Sequence, residues 1–330
     1  MVNNTYIYNA KELLELKLIN ISVDETGGLT TGAYGDTGII ESIVIETADF
    51  VNLVPSWNAV AKNGATIEVL ISARIKGNFT GFFSAGTWSR DVRGSIGGQR
   101  EENALMDIDT LKIKSGNTAD AFIFKLVLKK GTDDGKLSFK RAAFTLKYAV
   151  APIIKSSSEY PDFMDIKVPK REQMTVPEVG NIICSPTSLS MILDFYGSSD
   201  DTRAIAELAK DQGAEIYGNW PFTAAVATEF GLKSYVKRLH DLEEAKEYIV
   251  KGIPLVASVG IKDKNELKGA ESSYPDGHLL VIRGFKKVND KEFVLVNDPA
   301  TSKMDNIYRE YDYNEFKRAF SGIVYVVEKP

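Results

Sequence analysis

The hydrophobic period of the chain changes once, near residue 150, and that change divides what it can fold into. Before it, apolar and polar residues alternate in Leu16–Val23, Ile39–Thr47, Ala65–Ile75, Phe79–Trp88, Met106–Ser115, Asp120–Lys129 and Lys136–Ala149. A period of two is the mark of a strand with one buried face. Gly, Asn or Asp fills most of the gaps, as in Lys62-Asn-Gly-Ala65 and Gly131-Thr-Asp-Asp-Gly135. Asn9–Leu16 reads as helix, and Ser89–Ala104, rich in Gly, Arg and Gln, as an extended loop. Residues 1–150 are expected to form an all-β sandwich or jelly roll.

Ala151-Pro-Ile-Ile-Lys-Ser-Ser-Ser-Glu-Tyr-Pro161 has the composition of a linker, placed at 151–168. From 169 to 330 helices come first and strands follow, which predicts an α+β domain. Leu189, Ile192, Leu193 and Tyr196 recur at helical spacing over Ser185–Tyr196, with Pro186 in the first turn and Gly197 as the stop. Asp201–Gln212, Trp220–Phe230 and Asp241–Val250 are further helices, the last capped by Asp241. Pro254–Ile261, His278–Phe285, Glu292–Asn297, Asn306–Tyr311 and Ile323–Glu328 read as strands.

A chain of 330 residues exceeds one typical core and fits two domains. The formal net charge of −5 gives no electrostatic footprint for nucleic acid. No apolar run reaches the length of a membrane span. The start, Met-Val-Asn-Asn-Thr-Tyr, lacks a basic region followed by an apolar one, so the sequence as given is expected to be cytoplasmic, or secreted or cell-surface if a signal was trimmed. One Cys and two separated His give no zinc-site spacing, so neither a metal nor another cofactor is expected.

The one cysteine, Cys184, stands at the N-terminus of Ser185–Tyr196. A lone cysteine is ordinarily a small buried hydrophobe. At a helix N-terminus, however, unpaired N–H groups and the macrodipole favour thiolate, and a nearby His⁺ takes the thiol pKa from about 8.5 into a range of roughly 3.5–7.5.

Of the two histidines, His240 lies in charged Lys237-Arg-Leu-His-Asp241 and reads as surface. His278 opens an apolar run behind the loop Ser272-Ser-Tyr-Pro-Asp-Gly277, a good place to hold a general base. Asp298 ends the next strand, before Pro299, and is expected to accept the Nδ1–H bond that fixes the imidazole tautomer. Asn297 competes for that role, but strand alternation turns it to the opposite face. Each of these has an ordinary structural reading, as a satisfied strand-end histidine or a turn aspartate. Their order along the chain is that of a papain-like nucleophile, base and orienter. Gln173, eleven residues before Cys184, would add an amide donor to the Cys184 N–H for a developing oxyanion.

Cys184-Ser-Pro-Thr-Ser-Leu-Ser-Met191, Gly277-His278 and Asn297-Asp298-Pro299 together resemble the bacterial papain-like cysteine peptidases related to the bacteriocin-processing, double-glycine leader peptidases. The resemblance covers roughly 165–330. It implies Cys184 as nucleophile, His278 as base, Asp298 as orienter and Gln173 at the oxyanion hole. Arg171-Glu-Gln-Met174 and Gly218-Asn-Trp-Pro-Phe222 match stand-alone members. Ser185 departs from the glycine that follows the cysteine in many relatives. Leu53-Val-Pro-Ser-Trp57-Asn-Ala59, Phe82-Phe-Ser-Ala-Gly-Thr-Trp88-Ser89 and Asp107-Ile-Asp109-Thr-Leu111 resemble an accessory β-sandwich found ahead of such domains.

The expectation is peptide or amide hydrolysis through a Cys184 thioester, on a peptide or protein substrate. Trp220, Tyr217 and Tyr274 are candidate substrate contacts. Trp57 and Trp88 are core aromatics or, alternatively, platforms by which the sandwich contacts glycan or protein. Two rivals stand beside this: an acyltransferase or transglutaminase-like enzyme using the same triad, and a catalytically inert protein that binds cell-wall glycan or protein.

Overall fold

The computed structural model describes residues 3–150, 159–198 and 200–330. The first eight residues of the expected linker, 151–158, lie outside the described residues. The chain divides into two compact units, Met1–Pro152 with Lys210–Glu229, and Ile153–Ala209 with Phe230–Pro330. No helix among the described residues is long and apolar enough to cross a membrane.

The first unit is built on strands. Among the described residues thirteen of them, all paired antiparallel, join in one continuous hydrogen-bonded sheet. Its backbone is Ile45–Lys62, much longer than the expected Ile39–Thr47, because Pro55 and the polar Ser56 and Asn58 sit inside a buried strand and hide its alternation. It pairs along Lys136–Tyr148, whose other edge takes Thr5–Asn9. Ala119–Lys129 alternates as expected, with Phe122, Phe124, Leu126 and Leu128 fully buried. The expected helix at Asn9–Leu16 is only the turn Ala10–Leu13.

The segment Lys210–Glu229 belongs to this unit. Its helix, Trp220–Glu229, buries Phe222 between Trp57 and Trp88, with ring centroids 6.0 and 5.6 Å away. Asp109 accepts the Trp220 N–H at 2.7 Å, and the buried Glu229 carboxylate receives Lys62 and Arg90 at 2.8 and 2.9 Å. Trp57 and Trp88 are each 1% exposed, which makes them core aromatics and removes them as stacking platforms.

The second unit places helix Cys184–Phe195 with an antiparallel sheet ordered Lys233–Arg238, Phe320–Glu328, Leu255–Ile261, Tyr274–Val288, Lys291–Asn297, Tyr308–Asp312. Residues 185–193 of the helix are all buried, as expected of a helix set inside its domain. Its polar positions are satisfied locally: Thr187 donates to the Ile183 carbonyl and Ser190 to that of Thr187, both at 2.7 Å. Lys233–Arg238 and the helix Tyr313–Ala319 escaped the sequence reading; both are short and mix charged with apolar residues.

Candidate active site

Three local features bring the polar side chains of the second unit together. The first is the helix N-terminus. Cys184 is its first residue, and Pro186 occupies the first turn, where no N–H is needed. Ser188, one turn on, donates to the carbonyl of Leu279 at 3.0 Å. That bond fixes the helix against the strand Tyr274–Val288 beside His278.

The second is the end of strand Lys291–Asn297. Val281 pairs with Asn297, so Asp298 falls opposite Leu280, two residues from His278 and on its face. His278 Nε2 lies 2.8 Å from Asp298 Oδ1, with both residues buried. The contact is through Nε2 and not the expected Nδ1, and the Cys184 thiol also interacts with the His278 side chain. Asn297 points away, donating to the carbonyls of Val168 and Pro169 at 3.1 and 3.2 Å.

The third is the loop before the helix. Gln173 donates through Nε2 to the Gly180 carbonyl at 2.6 Å, and its backbone N–H donates to that of Pro299 at 3.0 Å. A side chain at position 180 would collide with the backbone oxygens of Gln173 and Val176, at 2.6 and 2.9 Å, so the loop closes only on glycine. Gln173 is thereby tied to the neighbour of Asp298 at one end and to the approach to Cys184 at the other.

Asp298 is fully buried, and a carboxylate there must be compensated. Besides His278, its Oδ1 accepts the Ala300 N–H at 3.0 Å, and its Oδ2 accepts the Tyr311 hydroxyl at 3.0 Å, with Arg309 Nε at 3.9 Å. Burial pushes the carboxyl up, but the charge and hydrogen bond of His278, then Arg309 and the Ala300 N–H, hold it well below the usual carboxylate range. Burial opposes the charged imidazole as well, yet the Asp298 charge and hydrogen bond, followed by Cys184, raise His278 above its ordinary value. For Cys184 burial works against the thiolate. The His278 hydrogen bond and charge, with the N–H groups of Leu279 and Ser185, outweigh it and lower the thiol.

Tyr274 lies flat on the His278 ring, with centroids 4.2 Å apart. Tyr217 and Trp220 belong to the first unit, Tyr217 buried and Trp220 half-buried at the start of its helix. His240, read as surface, is half-buried, and its N–H donates to Glu244. Tyr311 and Arg309 were missed in the sequence because nothing local marks them: they meet Asp298 only through strand pairing.

A half-buried thiol beside a buried imidazole that is paired with a buried carboxylate is equipped to attack a carbonyl carbon and protonate a leaving group. Residues 165–327 match the family model described as Peptidase C39 like. The second half of the chain is a C39-like cysteine peptidase. Residues 12–143 match the model of a Peptidase C39 N-terminal domain. Among solved structures, the peptidase resembles a double glycine motif protease from an AMS/PCAT transporter at 21% identity, over 51% of this chain and 95% of that one, TM-score 0.36. It also resembles the peptidase domain of Streptococcus ComA at 17% identity, over 47% and 97%, TM-score 0.35. A C39-like peptidase from Bacillus anthracis is 18% identical, over 51% and 99%, TM-score 0.38. No curated protein matches the chain.

Proposed function

We propose that this peptidase cleaves peptide bonds through a thioester on Cys184. The observation that carries the reading is His278 Nε2 at 2.8 Å from the buried Asp298 carboxylate, with the helix that begins at Cys184 bonded by Ser188 to Leu279, the neighbour of His278. The thiolate attacks the scissile carbonyl carbon and forms the C–S bond. The oxyanion is received by the Gln173 amide and the Cys184 N–H. His278 then gives its proton to the leaving amine as the C–N bond breaks. Water, deprotonated by the now neutral His278, attacks the thioester and frees the acid and the thiol. Asp298 holds the imidazole in place and balances its charge without taking the proton.

The substrate class is a peptide or protein, as the family model implies. The test is cleavage of a peptide library by the native chain and by Cys184→Ala, with products identified by mass spectrometry. New carboxyl termini that vanish in the variant are expected, together with an acyl adduct on Cys184 after acid quench. Undiminished cleavage by Cys184→Ala would contradict the assignment.

A further inference from the structure

The strand that carries His278 is irregular at its start. Val259 stands opposite His278, but Ile261, two residues on, stands opposite Tyr274, four residues back. The His278 strand spends two extra residues over this stretch, and Pro275, Asp276 and Gly277 bulge outward, all exposed, while Tyr274 and His278 are buried. Gly277 has φ +94°, a backbone conformation that L side chains rarely adopt. In a regular strand, side chains four residues apart are separated by about 13 Å. Here the two rings lie 4.2 Å apart at an interplanar angle of 22°. Bulges beside active sites commonly re-aim one side chain, and this one folds a phenol onto an imidazole.

We propose that Tyr274 is a positioning residue for His278, seated by the Pro275–Gly277 bulge to cap one face of the imidazolium. The inference rests on the Cys184–His278 pairing put forward above. The ring excludes water from that face, so Asp298 acts on the imidazolium through a low dielectric. Its electron-rich face replaces part of the hydration the cation loses. The ring also blocks rotation of the imidazole out of line between Cys184 and Asp298. The Tyr274 hydroxyl is buried and has no hydrogen-bond partner of normal geometry, so the ring carries the effect. The other titratable groups at the imidazole are Cys184 from the helix and Asp298 from the following strand end, with Arg309 and Tyr311 behind Asp298.

The test is the pH dependence of iodoacetamide alkylation of Cys184 in the full-length chain, for the native protein, Tyr274→Phe, Tyr274→Leu, Tyr274→Met and His278→Ala, with circular dichroism of each. Tyr274→Phe is expected to titrate like the native protein. Tyr274→Leu and Tyr274→Met, which fill the space without a π face, are expected to raise the alkylation midpoint by about one pH unit. A merely structural role would lower the melting temperature and leave that midpoint in place.

Folded Leu and Met variants that titrate like the native protein would overturn the proposal, as would a Phe variant that shifts as far as they do. Loss of fold in both Leu and Met variants, with Phe intact, would assign the ring to core packing and overturn it too. If His278→Ala leaves the midpoint unmoved, the Cys184–His278 pairing itself fails. If His278→Ala shifts it and Tyr274→Leu does not, only the role of Tyr274 falls.

Discussion

The backbone N–H of Gln173 hangs from the carbonyl of Pro299 at 3.0 Å, which places the amide donor of the loop one residue from the carboxylate that holds His278. The elements on the two flanks of the cysteine are therefore one hydrogen-bonded unit. In the proposed mechanism, Gln173 acts on the oxyanion and leaves the thiolate alone. Gln173→Ala is expected to lower kcat by about 10²-fold or more while the alkylation midpoint of Cys184 stays at its native value. Steady-state peptide cleavage and iodoacetamide kinetics on the same preparation separate the two effects.

Asp298 carries more than one load. Truncation to Ala leaves the Ala300 N–H, the Tyr311 hydroxyl and the Arg309 guanidinium short of their shared partner, a type of loss that costs about 3–5 kcal/mol. Asp298→Ala should show that cost in urea unfolding, together with roughly 10²-fold slower turnover. Asp298→Asn keeps an acceptor for Nε2–H without the charge. It should unfold closer to the native protein while still raising the pH at which Cys184 is alkylated.

Stability against pH follows from the signs of the shifts. His278 is raised in the folded state, so its contribution is full below its unfolded value of about 6.5 and is lost as pH rises through its folded value. Cys184 is lowered, so its contribution is full above its unfolded value of about 8.5 and is lost as pH falls through its folded value. Inside the window from about 6.5 to 8.5, wherever pH lies above the folded value of Cys184 and below that of His278, folded and unfolded chains bind the same number of protons at this pair and the two changes cancel. These two groups therefore add no slope there. Cys184→Ala removes one side of the balance. Across the same window its stability should fall with rising pH, by up to about 1.4 kcal/mol per unit relative to the native protein. Chemical denaturation at pH 6.5, 7.5 and 8.5 for both proteins checks this.

In the first unit, Phe222 fills the space between Trp57 and Trp88. Phe222→Ala is expected to destabilise that unit by about 3–5 kcal/mol and to shift tryptophan emission to the red as water reaches the two indoles. Because both indoles are 1% exposed, added oligosaccharide should leave the native emission of Trp57 and Trp88 unchanged. A quench on titration with sugar in a Trp220→Phe variant, which leaves these two as the emitters, would contradict their burial.

Cys184, His278, Asp298 and Gln173 are each marked locally in the sequence, by a helix start, the head of an apolar run, a strand end before proline and an upstream amide, and of these the structure sets His278 against Asp298 at 2.8 Å. The nitrogen that faces Asp298 was not, since side-chain rotation decides it. Tyr311 and Arg309 were hidden because they reach Asp298 through the pairing of Lys291–Asn297 with Tyr308–Asp312. Ser272–Gly277 read as a loop from its Ser, Pro and Gly. Tyr274–Gly277 in fact belong to a bulged strand, and the partner strand that imposes this lies elsewhere in the sequence. In the first unit, the length of Ile45–Lys62 was masked by polar residues whose burial depends on both neighbouring strands.

The central claim is that Cys184 and His278 form one ionised pair, and its most direct test is the pH dependence of Cys184 alkylation in the native protein beside His278→Ala. The account predicts a native thiolate that titrates well below about 8.5 and moves upward when the imidazole is removed. A native thiol that titrates at its ordinary value, indifferent to the loss of His278, would contradict it.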